Sequence, residues 1–377
     1  MALFAAVLLW TGSAAQGQSF TTTWGGALAQ YGIGVIPSDT GHTVVGCAFT
    51  GERHRAFLWR FDAAGDLQST HEVDMAGRLF IQAIAPIPGG GAYCVGSVIM
   101  PSGHEHDGLL MRIGSNNTVA WIHHPNVPGD QQYLGVSVMP DGGAVVCGVS
   151  RTGVNKDVLL QRFGPGGQQQ WSVIEDMGSN EEFLAVAVND AGIMATGRIM
   201  SFGGTSDALF AHYTLSGTQN WLTAWGGAGD DMGRALVARA DGSFVMAGGT
   251  TSTGPIDPAV NRVRERVYLI GIDAEGDTLW TRSQGQVGKD LSAHCLIVAP
   301  NGDLLIGGQA ATSGLSDGLL QRYTTTGTLL WERTTSTGRA EKIHGIASTA
   351  TGLVATGWSF GPDGNQVLLT RRNANGD

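Results

Sequence analysis

An all-β ring of seven four-stranded blades, a β-propeller, is the fold the sequence predicts, and three periodic markers predict it. A Trp recurs at 121, 171, 221, 280 and 331, with spacings of 50, 50, 59 and 51 residues. A Gly-x4-Gly pair recurs in register at Gly41/Gly46, Gly91/Gly96, Gly143/Gly148, Gly192/Gly197, Gly302/Gly307 and Gly352/Gly357, and the remaining unit carries Ser243/Gly248. An Asp opens a further apolar strand at Asp107, Asp157, Asp207 and Asp317. Four short strands in about 50 residues, seven times over and with no helical period, make a ring in which each blade buries both faces against its neighbours.

The elements follow in chain order. Ala2 to Trp10 is an apolar run, and Ser13 and Ala15 give the small-x-small pattern of a cleavage site, so residues 1–15 read as a signal peptide and 16–377 as a single propeller domain. The expected location is secreted or periplasmic. The first Cys is Cys47, too far along for a lipid-anchored cysteine at the cleavage site. Residues Ser19 to Gly26 match Asn220 to Gly227, with Phe20 in the place of the repeating Trp. The units end near 69, 121, 171, 221, 280, 331 and 377, and the last stops one strand short. Strand 19–24 is therefore expected to close the ring as the outermost strand of the seventh blade, which removes a loose edge.

Within a unit, the residue four before the Trp is Asn117, Gly167, Gly217, Gly276 or Gly327, with Gly65 before Ser69 and Gly376 at the chain end. Gly and Asn tolerate the left-handed backbone of a hairpin loop. Around the fourth unit boundary the strands read Leu222–Gly226, Ala235–Ala240, Phe244–Gly248 and Val267–Ile272. The longest insertion, Thr250 to Arg266, falls between the last two.

Composition narrows the class. Gly is 58 of 377 residues, while Pro is only 12 and charged residues only 14%, which excludes both a collagen repeat and a disordered chain. The net charge of −10 argues against nucleic acid, and nothing after the N-terminus is apolar for long enough to form a spanning helix. Cys47, Cys94 and Cys147 share one strand position in successive units and Cys295 occupies another, so four buried, reduced thiols are expected.

The sequence Trp225-Gly226-Gly227, then Asp230-Asp231, Asp241-Gly242 and Asp273 to Trp280 resembles the units of secreted bacterial and archaeal β-propeller repeat proteins. The resemblance covers nearly the whole mature chain. It implies the fold and no particular activity. The Gly-x2-Leu-Trp ending also looks like the tryptophan-docking turn of quinoprotein propellers and outer-membrane assembly scaffolds. Those rings usually have eight blades, and no cofactor-binding constellation is found here, so no quinone is expected.

Candidate chemistry is thinner. The loops entering the inner strands collect acids, and Asp231, Asp290 and Glu341 are candidate binding residues there. His294 and His344 stand eight residues before Gly302 and Gly352, at equivalent places on neighbouring inner strands, where a channel pair could titrate or help hold a metal. His104, His106, His123 and His124 form a candidate divalent-metal cluster, because the hairpin register sets Asp107 opposite His124. Arg262, Arg264 and Arg266 alternate at strand spacing and could hold an anion. Arg60, Arg112, Arg162 and Arg322 recur at one strand position and read as structural. There is no Gly-x-Ser-x-Gly elbow, His-Glu-x2-His pair or phosphate loop. The expectation is an exported, monomeric, non-catalytic scaffold that binds a protein or glycan through its loop face. The alternative is a hydrolase, lyase or quinoprotein-like enzyme with its site at the channel mouth.

Overall fold

Antiparallel hairpins with short turns leave consecutive strands no partner but each other, and the chain folds into seven four-stranded sheets arranged as a propeller. The computed structural model describes residues 19–377 apart from 27, 39, 102, 104, 126–128, 201–203, 313 and 362–363. Residues 1–15, expected to be a signal peptide, and His104 lie outside the described residues. The inner strands of blades one to seven are Gln30–Ser38, Arg78–Pro86, Asp130–Val138, Glu181–Asn189, Asp231–Ala238, Asp290–Val298 and Glu341–Thr349. Blade seven is completed by Gly352–Gly361, Gly364–Asn373 and the N-terminal strand Phe20–Trp24.

Closure is visible at two levels. Phe20 pairs with Arg371 and Trp24 with Val367, and the Ser19 hydroxyl donates to the Asp377 carbonyl at 2.5 Å. The apolar core falls into seven clusters, each shared by two adjacent blades, and one of them joins Val44 and Trp59 of blade one to Val354 and Val367 of blade seven. Second strands are sandwiched on both sides, so Ala144–Arg151 is buried at every residue but its last, whereas the outermost strand Gln169–Glu175 alternates.

The repeating aromatic works across blades. Each ring lies against the turn glycine of the next blade: Trp121 on Gly167, Trp171 on Gly217, Trp221 on Gly276, Trp280 on Gly327, Trp331 on Gly376 and Phe20 on Gly65. At Gly276 the backbone has φ 97° and a Cβ would lie 3.2 Å from the Trp221 ring, so both the turn and the contact require glycine. The seventh seam departs in both partners together. Ser69 replaces the aromatic, and Asn117, at φ 57°, replaces the glycine it would have covered. The recurring arginines are tied to the same turns: Arg60 donates to the Asn116 and Asn117 carbonyls at 2.7 and 2.9 Å, Arg112 to Pro165, Arg162 to Leu215 and Arg322 to Ala374.

The second glycine of Gly-x4-Gly shapes the channel. Every inner strand carries a β-bulge, and the residue just before it pairs with Gly46, Gly96, Gly148, Gly197, Gly248, Gly308 or Gly357. A Cβ on Gly96 would come within 1.7 Å of the Phe80 carbonyl, so the glycine is what lets the bulged strand approach. In blade six Gly308 does this, one residue beyond the marker glycine Gly307. The inner strand of blade five starts at Asp231, four residues before the expected Ala235. All four cysteines are free; three are buried, and Cys295, on an inner strand facing the channel, is half-buried rather than buried.

Candidate functional site

The seven bulged positions are Ile33, Gln82, Leu134, Leu184, Arg234, His294 and His344, and all seven line the central channel. The channel encloses about 470 Å³ and runs from these residues to the C-terminal ends of the inner strands. His294 and His344 do meet, with ring centroids 5.9 Å apart. Burial, then the Lys342 charge, lowers His344 to about 3, and burial followed by Lys342, Arg234 and His344 pushes His294 down further. Both imidazoles are therefore neutral near pH 7. Arg234 donates to Glu265 at 2.7 Å. Sequence reasoning missed Arg234, although it stands eight residues before Gly242, the same spacing that marks the two histidines.

The opposite end of the ring carries the insertion of blade five. Between the strands Phe244–Thr250 and Arg266–Ile272, a short hairpin pairs Ile256–Asp257 with Arg262–Val263. Asp290, at the start of the blade-six inner strand, anchors it. Its carboxylate accepts two bonds from Arg262 at 2.8 Å each, one from Arg264 at 3.0 Å and one from the Glu265 amide at 2.7 Å. Burial alone would raise the Asp290 pKa, but Arg262, the Glu265 amide and Arg264 outweigh it and hold the carboxyl below its usual range. Arg264 also donates to Asp257 at 2.8 Å. Arg262 and Arg264 thus hold protein carboxylates, while Arg266 donates to the Ser283 hydroxyl at 2.7 Å.

Asp231 and Glu341 stand one residue further along the inner strands of blades five and seven, and both are buried. Asp231 accepts from the Gly227 amide at 2.9 Å and from the Ser252 hydroxyl at 2.6 Å; Glu341 accepts from the Thr337 amide at 2.6 Å. Glu341 thus binds its own entry loop, and Asp231 ties its entry loop to the start of the insertion.

The histidine hairpin has a different register from the expected one. His123 pairs with Leu110, so Asp107 does not face His124 across the hairpin. His123 packs edge-on against Phe163 at 5.2 Å, whereas His106 bonds Ser97 at 2.9 Å and packs on Phe80. Among the described residues these side chains form no three-ligand group.

The insertion-bearing end has a further property. Of the exposed large apolar residues, Val154, Met200, Leu315 and Phe360 sit in or beside loops between second and third strands there. Leu28 and Val287 sit in loops entering inner strands, and Ile256 and Val260 in the insertion. The others, Ile174, Leu279 and Leu330, lie on outermost strands. Among the described residues, none lies in a turn at the opposite end.

No protein-family model matches the chain, and no curated protein matches it. Solved propellers do. The periplasmic gluconolactonase of Pseudomonas aeruginosa superposes with a TM-score of 0.54 at 13% identity, covering 93% of this chain and 94% of that one. An ulvan lyase of a polysaccharide lyase family gives 0.57 at 9%, over 93% and 98%. The WD40 domain of Pan2 from Neurospora crassa gives 0.54 at 8%, over 92% and 90%. At such identities the likeness shows the fold and nothing finer.

Proposed function

We propose that the protein is an exported, non-catalytic binding propeller that docks a protein partner on the insertion-bearing face. The single observation that carries this reading is the gathering of exposed aliphatic side chains at that end, with Ile256 64% and Val287 fully exposed beside an insertion locked by Asp290. Apolar groups spread over one face suit an extended protein surface, and a pre-ordered insertion loses little entropy on docking. A glycan would call for aromatic platforms, and only Phe360 among these exposed residues is aromatic. The test is affinity capture from the source's own extract. A partner held by the unaltered chain should be lost from an Ile256→Asp/Val287→Asp variant and kept by Asp190→Arg, which changes the opposite face. Retention of the same proteins by the double variant would refute the assignment.

A second reading has one observation behind it. Arg234, His294 and His344 come from three adjacent blades, as an enzyme at the channel mouth would require. Turnover of a lactone or polyuronide that disappears in His294→Gln/His344→Gln would support that reading instead.

A further inference from the structure

The acids at the seam between blades three and four are built differently from those already described. Asp157 opens the third strand of blade three, Asp176 follows its outermost strand, and Glu181 starts the inner strand of blade four. Each offers a carboxylate oxygen, and these oxygens all lie within 4.8 Å of one another. Glu181 is fully buried. Its Oε1 accepts from the Ser179 amide at 2.9 Å, and its Oε2, like that of Glu341, is buried with no hydrogen-bond partner among the described residues, but only at Glu181 do two further carboxylates stand beside it. Among the described residues no Lys, Arg or His forms an ion pair with any of the three, and the neighbouring Lys156 pairs instead with Glu182, which Arg198 also engages.

We propose that Asp157, Asp176 and Glu181 form a calcium site that fastens blade three to blade four. A buried carboxylate oxygen without a donor is costly, and two more carboxylates beside it raise the cost further. A cation removes both penalties. The donor set is all carboxylate oxygen, which suits a hard cation and not zinc. Calcium takes six to eight oxygens at about 2.3–2.6 Å, so two oxygens on opposite sides of it stand about 4.6–5.2 Å apart, in keeping with this cluster. Magnesium keeps a tighter shell and most of its waters. Asp176 is exposed, which leaves the outer side of the ion open to water. In support, burial raises the Asp157 carboxyl, with Asp176 adding to it; burial also raises Glu181, with the same acids contributing, against the Ser179 and Met177 amides.

The experiment is thermal unfolding of the chelator-treated chain, titrated with calcium chloride and in parallel with magnesium chloride. Calcium should raise the midpoint saturably by about 3 °C or more, and magnesium much less. Asp157→Asn should weaken the calcium response at least tenfold. Glu181→Gln should abolish the response while its metal-free midpoint equals or exceeds that of the unaltered chain, because it removes a buried charge. If Glu181→Gln does not fold, Asp176→Asn, at an exposed position, carries the test with the same tenfold weakening. Absence of a calcium response in the unaltered chain, or equal responses in all variants, would overturn the site.

Discussion

The seam between blades three and four and the seam between blades five and six each carry an acid near the start of the inner strand, one residue apart in the repeat, and compensate its charge in opposite ways. In both, an acid near the start of an inner strand lies beside a loop of the preceding blade. At the second seam Asp290 meets two arginines and an amide. At the first, Glu181 meets the Ser179 and Met177 amides and two further carboxylates. The seams of Asp231 and Glu341 lie between, with amides alone or an amide and a hydroxyl. Each acid is particular to its blade, since Leu291 stands at the place of Glu181 in blade six and Asn180 at the place of Asp290 in blade four, and the neighbours decide what the acid does. Where arginines are present it anchors a loop; where acids crowd, it calls for a cation.

The comparison can be broken at what the two seams share. Trp171 docks on Gly217 at the first seam and Trp280 on Gly327 at the second. Trp171→Ala and Trp280→Ala should each cost about 3 kcal/mol in denaturant unfolding, with Trp280→Ala the larger by no more than about 1 kcal/mol because Arg282 also lies over its ring at 5.7 Å. A large inequality would mean that the charged groups dominate.

A smaller effect isolates the arginine seam. Asp290→Ala should cost about 2 kcal/mol, between the limits for exposed and buried ion pairs, because it strands Arg262 and the Glu265 amide together. Limited proteolysis should then cut within residues 251–265, where the unaltered chain should resist. An unchanged digestion pattern would show that the insertion is held by something else.

The finest test uses pH. Asp290 is held below its ordinary range in the folded chain, so the stability it contributes is present above the unfolded aspartate range, about pH 4, and is lost as pH falls through the folded value. Asp290→Asn should flatten that acid limb. A separate loss belongs to the channel. His344 stays unprotonated down to about 3, so as pH falls from 6.5 the unfolded chain gains protons that the folded chain refuses. His344→Gln should reduce the slope of stability between pH 6 and pH 4, read from midpoints at each pH, and leave the slope above pH 7 unchanged.

Much of the site was legible once the repeat was in register, and the exceptions have physical causes. His294 and His344 were placed correctly because a strand position repeats with its blade. Arg234 was overlooked at the same position because one Arg among many carries no signal of its own. The histidine hairpin differs from its expected register because its turn shifts the pairing, and a small slip in register moves every cross-strand neighbour. Asp157 reads in the sequence only as the residue that opens its strand and Glu181 only as a loop-face acid, because nothing in the spacing of the chain brings them together with Asp176.

The amino-acid pattern alone determined the blade number, the closing strand, the turn glycines and the aromatic docks. These are periodic and local: each needs only a residue type at a fixed offset, and the ring follows from burying both faces of every blade. The three-dimensional arrangement alone decided which charges are satisfied. Seam partners come from separate segments of two blades, such as Asp157 and Glu181, and whether a buried carboxylate finds an arginine, an amide or another acid depends on distances that no spacing in the chain encodes.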